Sequence, residues 1–190
     1  EGVHAAGVLF DSTLAQQDTF YQEYLDASVD KQYGFKARRE RIDEYGWRNF
    51  GELYADHEAV YHQGKSLFIS HYNNQYDPTY SFYRQALVSG NPRWLDIAAP
   101  LAKHVADIDI YHTEHDREEY NHGLFWHTEH YLDAGTATHR SQSKEHFSQK
   151  DPQLCGGGPG AEHCYSSGLM LHYFLTGDPR YKDLVLQLAD

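Results

Sequence analysis

The chain has 190 residues, a length that fits one domain or part of a larger one. Its 16 Lys and Arg face 28 Asp and Glu, and the formal charge of -12 argues against nucleic acid and anionic membranes as partners, since both require a basic surface. Tyr (16), Trp (3) and His (14) are abundant, which favours a folded protein with a wet, aromatic-lined cavity. No stretch reaches the roughly 18 to 20 apolar residues of a membrane span.

The N-terminal third predicts one helix followed by a loop region. Residues 11–30 lack Gly and Pro and carry apolar residues at helical spacing, so we expect a helix or an irregular helical segment. Residues 31–63 are polar and aromatic, with Gly34, Gly46 and Gly51 interrupting any long periodicity. The sequence therefore predicts an N-terminal helix and loop region over 1–63.

An internal repeat organises the rest of the chain. SGNPRWLDIAAPLA at 89–102 matches TGDPRYKDLVLQLA at 176–189 with an offset of 87, and an apolar helical segment precedes each copy, at 79–88 and 164–175. A helix, a Gly-x-Pro-Arg turn and a second helix, here 93–106 in the first copy, form a helical hairpin. Recurrence of such hairpins is typical of an array or toroid.

These elements predict a mainly α fold of antiparallel helical hairpins over 64–190, forming part of an (α/α) toroid or barrel. At about 50 residues per hairpin, a closed toroid of six hairpins needs roughly 300 residues. We therefore expect residues 1–190 to be a single, incomplete toroid domain.

The densest group of chemically active side chains lies at 121–140. If 124–133 is helical, His127 and His130 share a face with Glu129 beside them, and this set can bind Zn²⁺ or Mn²⁺. The alternative is a His-rich aromatic helix whose imidazoles and carboxylates satisfy one another. A divalent metal is thus one interpretation of this segment, and the sequence does not decide it.

A Gly-rich loop at 155–160 precedes the predicted helix at 164–175. Its glycines permit close approach to a ligand, and Glu162, His163 and Tyr165 would face a cavity at the helix start. The alternative is a flexible loop capped by Glu162 at the positive helix end. The flanking Cys155 and Cys164 either close a short disulfide ring or remain two thiols.

Two further segments, 45–51 and 70–77, combine aromatic and amide side chains. Trp47, Tyr72 and Tyr76 can stack on sugar faces, and Arg48, Asn73 and Asn74 can hydrogen-bond hydroxyls or a carboxylate. Protein-binding surfaces use the same residue types. Their recurrence before helical units favours a binding role.

Four segments together carry a family resemblance: YGWRNFGELYADHE, FISHYNNQYDPTY, DIDIYHTEHDREEYNHGLFWHTEHYLDAGTATHR and GGGPGAEHCYSSGLMLHYFLTGDPRY. Over roughly 40–190 the chain resembles the helical-toroid part of exo-rhamnogalacturonan lyase-like proteins, in which a β-rich domain accompanies an (α/α) barrel. The resemblance implies a secreted or periplasmic protein that degrades an acidic plant or algal polysaccharide. No β-rich domain is present here, and the family's catalytic residues do not transfer position by position.

Residue roles therefore come from the chemistry of uronate elimination, which needs a cation on the carboxylate, a base for the C5 proton and an acid for the leaving oxygen. A glycoside hydrolase needs two carboxylates instead, for which Glu129, Asp133 and Glu162 are available. A non-catalytic carbohydrate-binding fragment is the third reading. The candidate catalytic residues are His127, His130, Tyr131, His139, Arg140, His163 and Tyr165, and the candidate substrate-binding residues are Trp47, Arg48, Tyr72, Asn73, Asn74, Trp126 and Glu162. Seven of these residues are expected in one cleft: Tyr72, His127, His130, His139, Arg140, Glu162 and His163.

Overall fold

The computed structural model describes residues 18–43, 46–47, 49–54, 74–116, 118, 121–125, 159–160 and 164–189. This part of the chain is mainly helical, as the sequence predicts, and none of its helices is long and apolar enough to cross a membrane. The elements are α1 (Thr19–Ser28), α2 (Phe35–Ile42), α3 (Pro78–Ser89), α4 (Leu95–His104), β1 (Leu124–Phe125), β2 (Pro159–Gly160), α5 (Ser167–Thr176) and α6 (Pro179–Ala189).

Helix α2 lies inside the segment that the sequence predicts as a loop, so that prediction was wrong for residues 35–42. Gly34 occupies the position before the helix and does not interrupt it. The residues that follow, FKARRERI, are mostly good helix formers. Phe35 anchors the helix to the core, where its ring lies 5.2 Å from the ring of Phe82.

The predicted repeat forms two helical hairpins with the same turn between their helices. The first hairpin is α3 and α4, and the second is α5 and α6. Gly90 and Gly177 end α3 and α5 in the left-handed conformation, with φ of 68° and 75°. The Gly90 N–H donates to Ala86 O at 2.9 Å, and the Gly177 N–H donates to Tyr173 O at 2.7 Å. The second hydrogen bond is offset from the first by 87 positions, the same offset as in the sequence repeat. This agreement confirms the repeat as a structural unit.

The residue after each glycine starts the second helix of its hairpin in the same way. Asn91 Oδ1 accepts from Arg93 N at 3.1 Å, and Asp178 Oδ1 accepts from Arg180 N at 3.0 Å. These side chains satisfy amides that a helix start would otherwise leave without a partner. In the first hairpin, a 3₁₀ turn, Pro92–Trp94, leads into α4.

An aromatic side chain at equivalent positions closes each hairpin. Trp94 is 3% exposed, and its ring centroid lies 5.7 Å from that of Phe82 on α3. Tyr181 is 4% exposed, and its ring lies 4.0 Å from that of His172 on α5. Helix α3 packs against both α4 and α5, and α5 packs against α6 and α4, so the two hairpins share one core.

The predicted helix at 124–133 does not begin where the sequence places it. Leu124 and Phe125 form a short strand that pairs antiparallel with β2, and Leu124 also bridges to Ile110. Leu124 is fully buried, so this residue, expected at a helix start, instead closes the core. Residues 126–133 lie outside the described residues. The predicted helix at 164–175 is confirmed with later bounds, as α5.

Candidate functional site

A single carboxylate joins the N-terminal ends of α3 and α5. Asp77 Oδ1 accepts from Tyr80 N at 3.0 Å, and Asp77 Oδ2 accepts from Gly168 N at 2.9 Å. Asp77 thereby caps both helices at once. Burial raises the pKa of Asp77, although these amide hydrogen bonds oppose the shift. The Asp77 carboxylate therefore occupies the place where the amides of these two helix ends could otherwise bind an anion.

The turn that carries Asp77 is unusual in its backbone. Asn74, Tyr76 and Asp77 have φ of 53°, 63° and 52°, in the left-handed region that side chains other than glycine seldom adopt. Residues in sparsely populated conformations cost on the order of 1–3 kcal/mol each and cluster at functional sites. Such a turn persists only if its surroundings hold it firmly.

Asn74 supplies much of that support. Its Nδ2 donates to Tyr165 O at 3.0 Å, and its Oδ1 accepts from Thr79 Oγ1 at 2.8 Å. Asn74 is 1% exposed. The sequence assigns Asn74 to substrate binding, and the structure places it beneath the surface, where it ties the turn to the segment that precedes α5.

Two tyrosines flank this junction. The rings of Tyr76 and Tyr165 lie 6.0 Å apart at an interplanar angle of 45°, and Tyr76 is 64% exposed. Tyrosine rings of this kind offer an apolar face for a sugar ring and a hydroxyl for its polar edge. The junction thus unites Asn74 and Tyr165, residues from two segments that the sequence singles out separately.

The strand pair brings a third segment to the same region. Leu124 pairs with Gly160 and Phe125 with Pro159, which joins the start of the His-rich segment, 121–140, to the Gly-rich segment, 155–168. The backbone of Leu124 also contacts the thiol of Cys164, whose pKa burial raises. Cys164 is a free thiol, and Cys155 lies outside the described residues.

Trp47 lies in a different segment, 46–54, which packs against α4. It is 77% exposed and is available to a ligand. The remaining candidate residues lie outside the described residues, so their convergence in one cleft stays a prediction. They are Arg48, Tyr72, Asn73, Trp126, His127, Glu129, His130, Tyr131, Asp133, His139, Arg140, Glu162 and His163.

His122, at the start of the His-rich segment, lines an open cleft of about 830 Å³ along α6. Its φ is 58°, and its Nε2 lies 3.6 Å from Glu114 Oε1. Its Nδ1 contacts the side-chain amide of Gln187. The 121–140 pattern does not single out this histidine, and its partner Gln187 is 65 positions away along the chain.

Sequence reasoning also missed a buried ionic cluster beneath the 49–54 segment. His104 Nε2 lies 2.9 Å from Glu52 Oε2 and 3.5 Å from Asp109 Oδ1, and all three side chains are at most 1% exposed. Burial lowers the pKa of His104, but the two carboxylates outweigh it and raise that pKa well above its ordinary value. Glu52 and Asp109 stand 57 positions apart in the chain, and no local pattern links them.

Within the described ranges, no group of three His, Cys, Asp or Glu residues is arranged to hold a metal ion. The proposed ligands, His127, Glu129 and His130, lie outside those ranges. No family model matches the chain, and no curated protein and no solved structure matches it significantly.

Proposed function

We propose that this chain is the helical-toroid part of a secreted or periplasmic lyase that cleaves a uronate-containing, rhamnogalacturonan-like polysaccharide by β-elimination. One observation carries the proposal: segments selected separately for their sugar-binding or proton-transfer chemistry meet at one end of two adjacent helices. Asn74 bonds to Tyr165, and β1 pairs with β2.

The repeat supports the toroid part of the proposal. Two hairpins in the same register, packed side by side through α3 and α5, are the building unit of an (α/α) toroid. In such an array the loops that precede equivalent helices gather at one end. Loops on a rigid scaffold are where binding and catalytic residues concentrate.

The carboxylate at the junction is committed to backbone amides. Asp77 is the carboxylate at these helix ends in the described part of the chain, and both of its oxygens hold backbone amides. It is therefore unsuited to act as a glycosidase acid or nucleophile, which must be free to approach the glycosidic bond. Tyr165, by contrast, has the hydroxyl that a lyase can use for proton transfer.

The decisive assay incubates the protein with rhamnogalacturonan, ulvan or pectin and records absorbance near 235 nm, where unsaturated uronate absorbs. Tyr165→Phe removes a hydroxyl and keeps the ring, so turnover should fall on the order of 10²-fold if that hydroxyl transfers a proton. Tyr33→Phe is the matched control, since Tyr33 is 71% exposed and lies before α2. Its turnover should equal that of the wild type.

A second pair of variants tests the His-rich segment. His130→Ala should reduce turnover on the order of 10²-fold or more, whereas Glu129→Gln should change it little. Cleavage without the 235 nm chromophore, with the reverse ranking of these variants, would identify a hydrolase. Oligosaccharide binding without any cleavage would identify a carbohydrate-binding protein, and either result would overturn the proposed lyase.

A further inference from the structure

We propose that His104 is a buried imidazolium that fastens residues 49–54 to the first hairpin, and that loss of its proton releases this segment. The inference rests on the proposed function only where it assigns substrate binding to Trp47, which lies two positions before the first residue of the segment. The attachment of residues 49–54 to α4 follows from the hydrogen bonds of the His104 ring.

Both nitrogens of the His104 ring face groups that only accept hydrogen bonds. Nδ1 lies 3.0 Å from the carbonyl oxygen of Phe50, and Nε2 lies 2.9 Å from the carboxylate of Glu52. A neutral imidazole has one N–H and can satisfy one of them. The other nitrogen would then present a lone pair to an oxygen, in a site where an unmade hydrogen bond is costly. The geometry therefore calls for the doubly protonated ring.

Both acceptors belong to the same short segment, 49–54, so the His104 ring holds this segment against α4. A guanidinium on α2 holds that segment from the other side: Arg39 Nε donates to Glu52 O and Arg39 Nη2 donates to Gly51 O, each at 3.1 Å. Gly51 has φ of 84°, and a Cβ there would come within 2.0 Å of Pro100 O. The segment is thus seated directly on the backbone of α4.

The charged groups around the ring come from four elements. Glu52 lies on the segment itself, Arg39 on α2, and Lys103 on α4, where its ammonium sits 5.7 Å from the ring of Phe50. Asp109 comes from a π turn, Val105–Asp109, that ends the first hairpin. Such wide turns often occur at functional sites.

Asp109 adds negative charge without competing for the segment. Its Oδ1 lies 3.5 Å from His104 Nε2, farther from the ring than the Glu52 carboxylate at 2.9 Å. The protonated His104 ring compensates the negative charge of Glu52 and Asp109, whose carboxylate oxygens lie 2.9 Å and 3.5 Å from Nε2. Removing that proton leaves an excess buried negative charge, which is strongly unfavourable.

The direction of the pH effect follows from the raised pKa of His104. Below about pH 6.5 the ring is protonated whether the segment is fastened or released, so the fastening is at full strength. As pH rises from there towards the raised value, release is accompanied by loss of a proton. The equilibrium constant for release should then increase about tenfold per pH unit, and it should level off above that value.

Hydrogen exchange read by mass spectrometry tests this on the full chain. The peptide covering 46–54 is followed from pH 6 to 10, and its rates are divided by those of the same peptide free in solution. We expect its protection to fall about tenfold per pH unit over part of this range, while a peptide from α5 shows no such slope. His104→Gln should remove the slope, because a glutamine amide donates without titrating in this range.

Two outcomes would overturn the inference: a wild-type slope of zero, or the same slope in folded His104→Gln. If that variant does not fold, ¹⁵N spectra of histidine side chains in the wild type decide the matter. The His104 ring should remain doubly protonated at a pH where a free imidazole is neutral, and detection of neutral rings alone would overturn the inference. Neither readout needs a substrate, so loss of the proposed lyase activity would leave this result standing.

Where activity is present, a third readout tests the assignment of Trp47. Trp47→Ala should raise KM with little change in kcat. In the wild type, KM should rise over the same pH range in which the protection of 46–54 falls. A pH-independent KM alongside pH-dependent exchange would show that release of 49–54 does not affect substrate binding, and an unchanged KM in Trp47→Ala would refute the role of Trp47.

Discussion

The two hairpins have the same turn and different surroundings. In the first hairpin, the side chains of Leu101 and Ala102 on α4 are at most 1% exposed. At the equivalent positions of α6, Leu188 is half-buried and Ala189 is exposed. The first hairpin has the 49–54 segment on one side and α5 on the other. The comparison shows that the repeat encodes the turn locally, whereas burial depends on which neighbours each copy has.

The second hairpin presents apolar side chains to solvent. Phe174 on α5 is 70% exposed and Leu186 on α6 is 55% exposed. Their equivalents, Leu87 and Ala99, are both partly buried. The second copy is therefore expected to contribute less stability per residue than the first.

Truncating one equivalent leucine in each hairpin should give the largest difference between the copies. Leu101→Ala should lower the free energy of unfolding by about 4 kcal/mol, because it leaves a cavity among fully buried neighbours. Leu188→Ala should lower it by about 1 kcal/mol, because water already reaches that site. Urea denaturation measures both. Equal losses would show that the two hairpins are packed alike and would remove the basis of the comparison.

The junction between the hairpins provides the next largest effect. A Cβ at position 168 would lie 2.5 Å from both Asp77 Oδ1 and Tyr80 N, so Gly168→Ala forces backbone to move. We expect a loss of about 3 kcal/mol in the free energy of unfolding. Gly90→Ala is the control: it has open space and φ of 68°, and should cost about 1 kcal/mol.

Thermal denaturation of the two glycine variants checks this ranking. If Gly168→Ala is no worse than Gly90→Ala, α3 and α5 do not meet through Asp77. The sugar-binding interpretation of the junction would then lose part of its structural basis, because the Asn74 to Tyr165 hydrogen bond lies beside the same contact.

The hairpins were predictable because their signals are local. The Gly90 and Gly177 turns, and the Pro that follows each, are fixed by neighbouring residues in the chain. Helix α2 was not predicted, because Gly34 at a helix start resembles Gly inside a loop when only the sequence is read. The start of the His-rich segment was misjudged for a related reason: Leu124 and Phe125 suit a strand or a helix, and pairing with β2 decides.

The candidate site was predictable in its segments and not in its contacts. Residue types marked 70–77 and 155–168 as binding segments, and the Asn74 to Tyr165 hydrogen bond joins them. The role of Asp77 in capping both helices could not be predicted from the sequence, because its partner Gly168 is 91 positions away. The His104 cluster was equally hidden, since Glu52 and Asp109 come from separate loops. Long-range contacts between polar side chains leave no periodic signal in a sequence.

The smallest expected effect concerns the buried histidine of the second hairpin, which should respond to pH in the opposite direction from His104. His172 Nδ1 contacts the hydroxyl of Tyr83, and the ring of Tyr181 covers its face. Burial lowers the pKa of His172, with Asp178 opposing the shift, and burial raises the pKa of Tyr83. Both groups are therefore neutral at pH 7, and one hydrogen bond joins them.

Because the pKa of His172 is lower in the folded state, the unfolded chain binds the extra proton as pH falls through about 6.5. His172 should therefore reduce the free energy of unfolding on acidification, by about 1 kcal/mol or less between pH 7 and 5. Urea denaturation at both pH values, compared between the wild type and His172→Gln, isolates this contribution from those of the other histidines. Tyr181→Phe keeps the ring that covers His172 and should retain the wild-type pH dependence. If His172→Gln loses as much stability on acidification as the wild type, His172 titrates normally, and the contrast between the buried histidines of the two hairpins disappears.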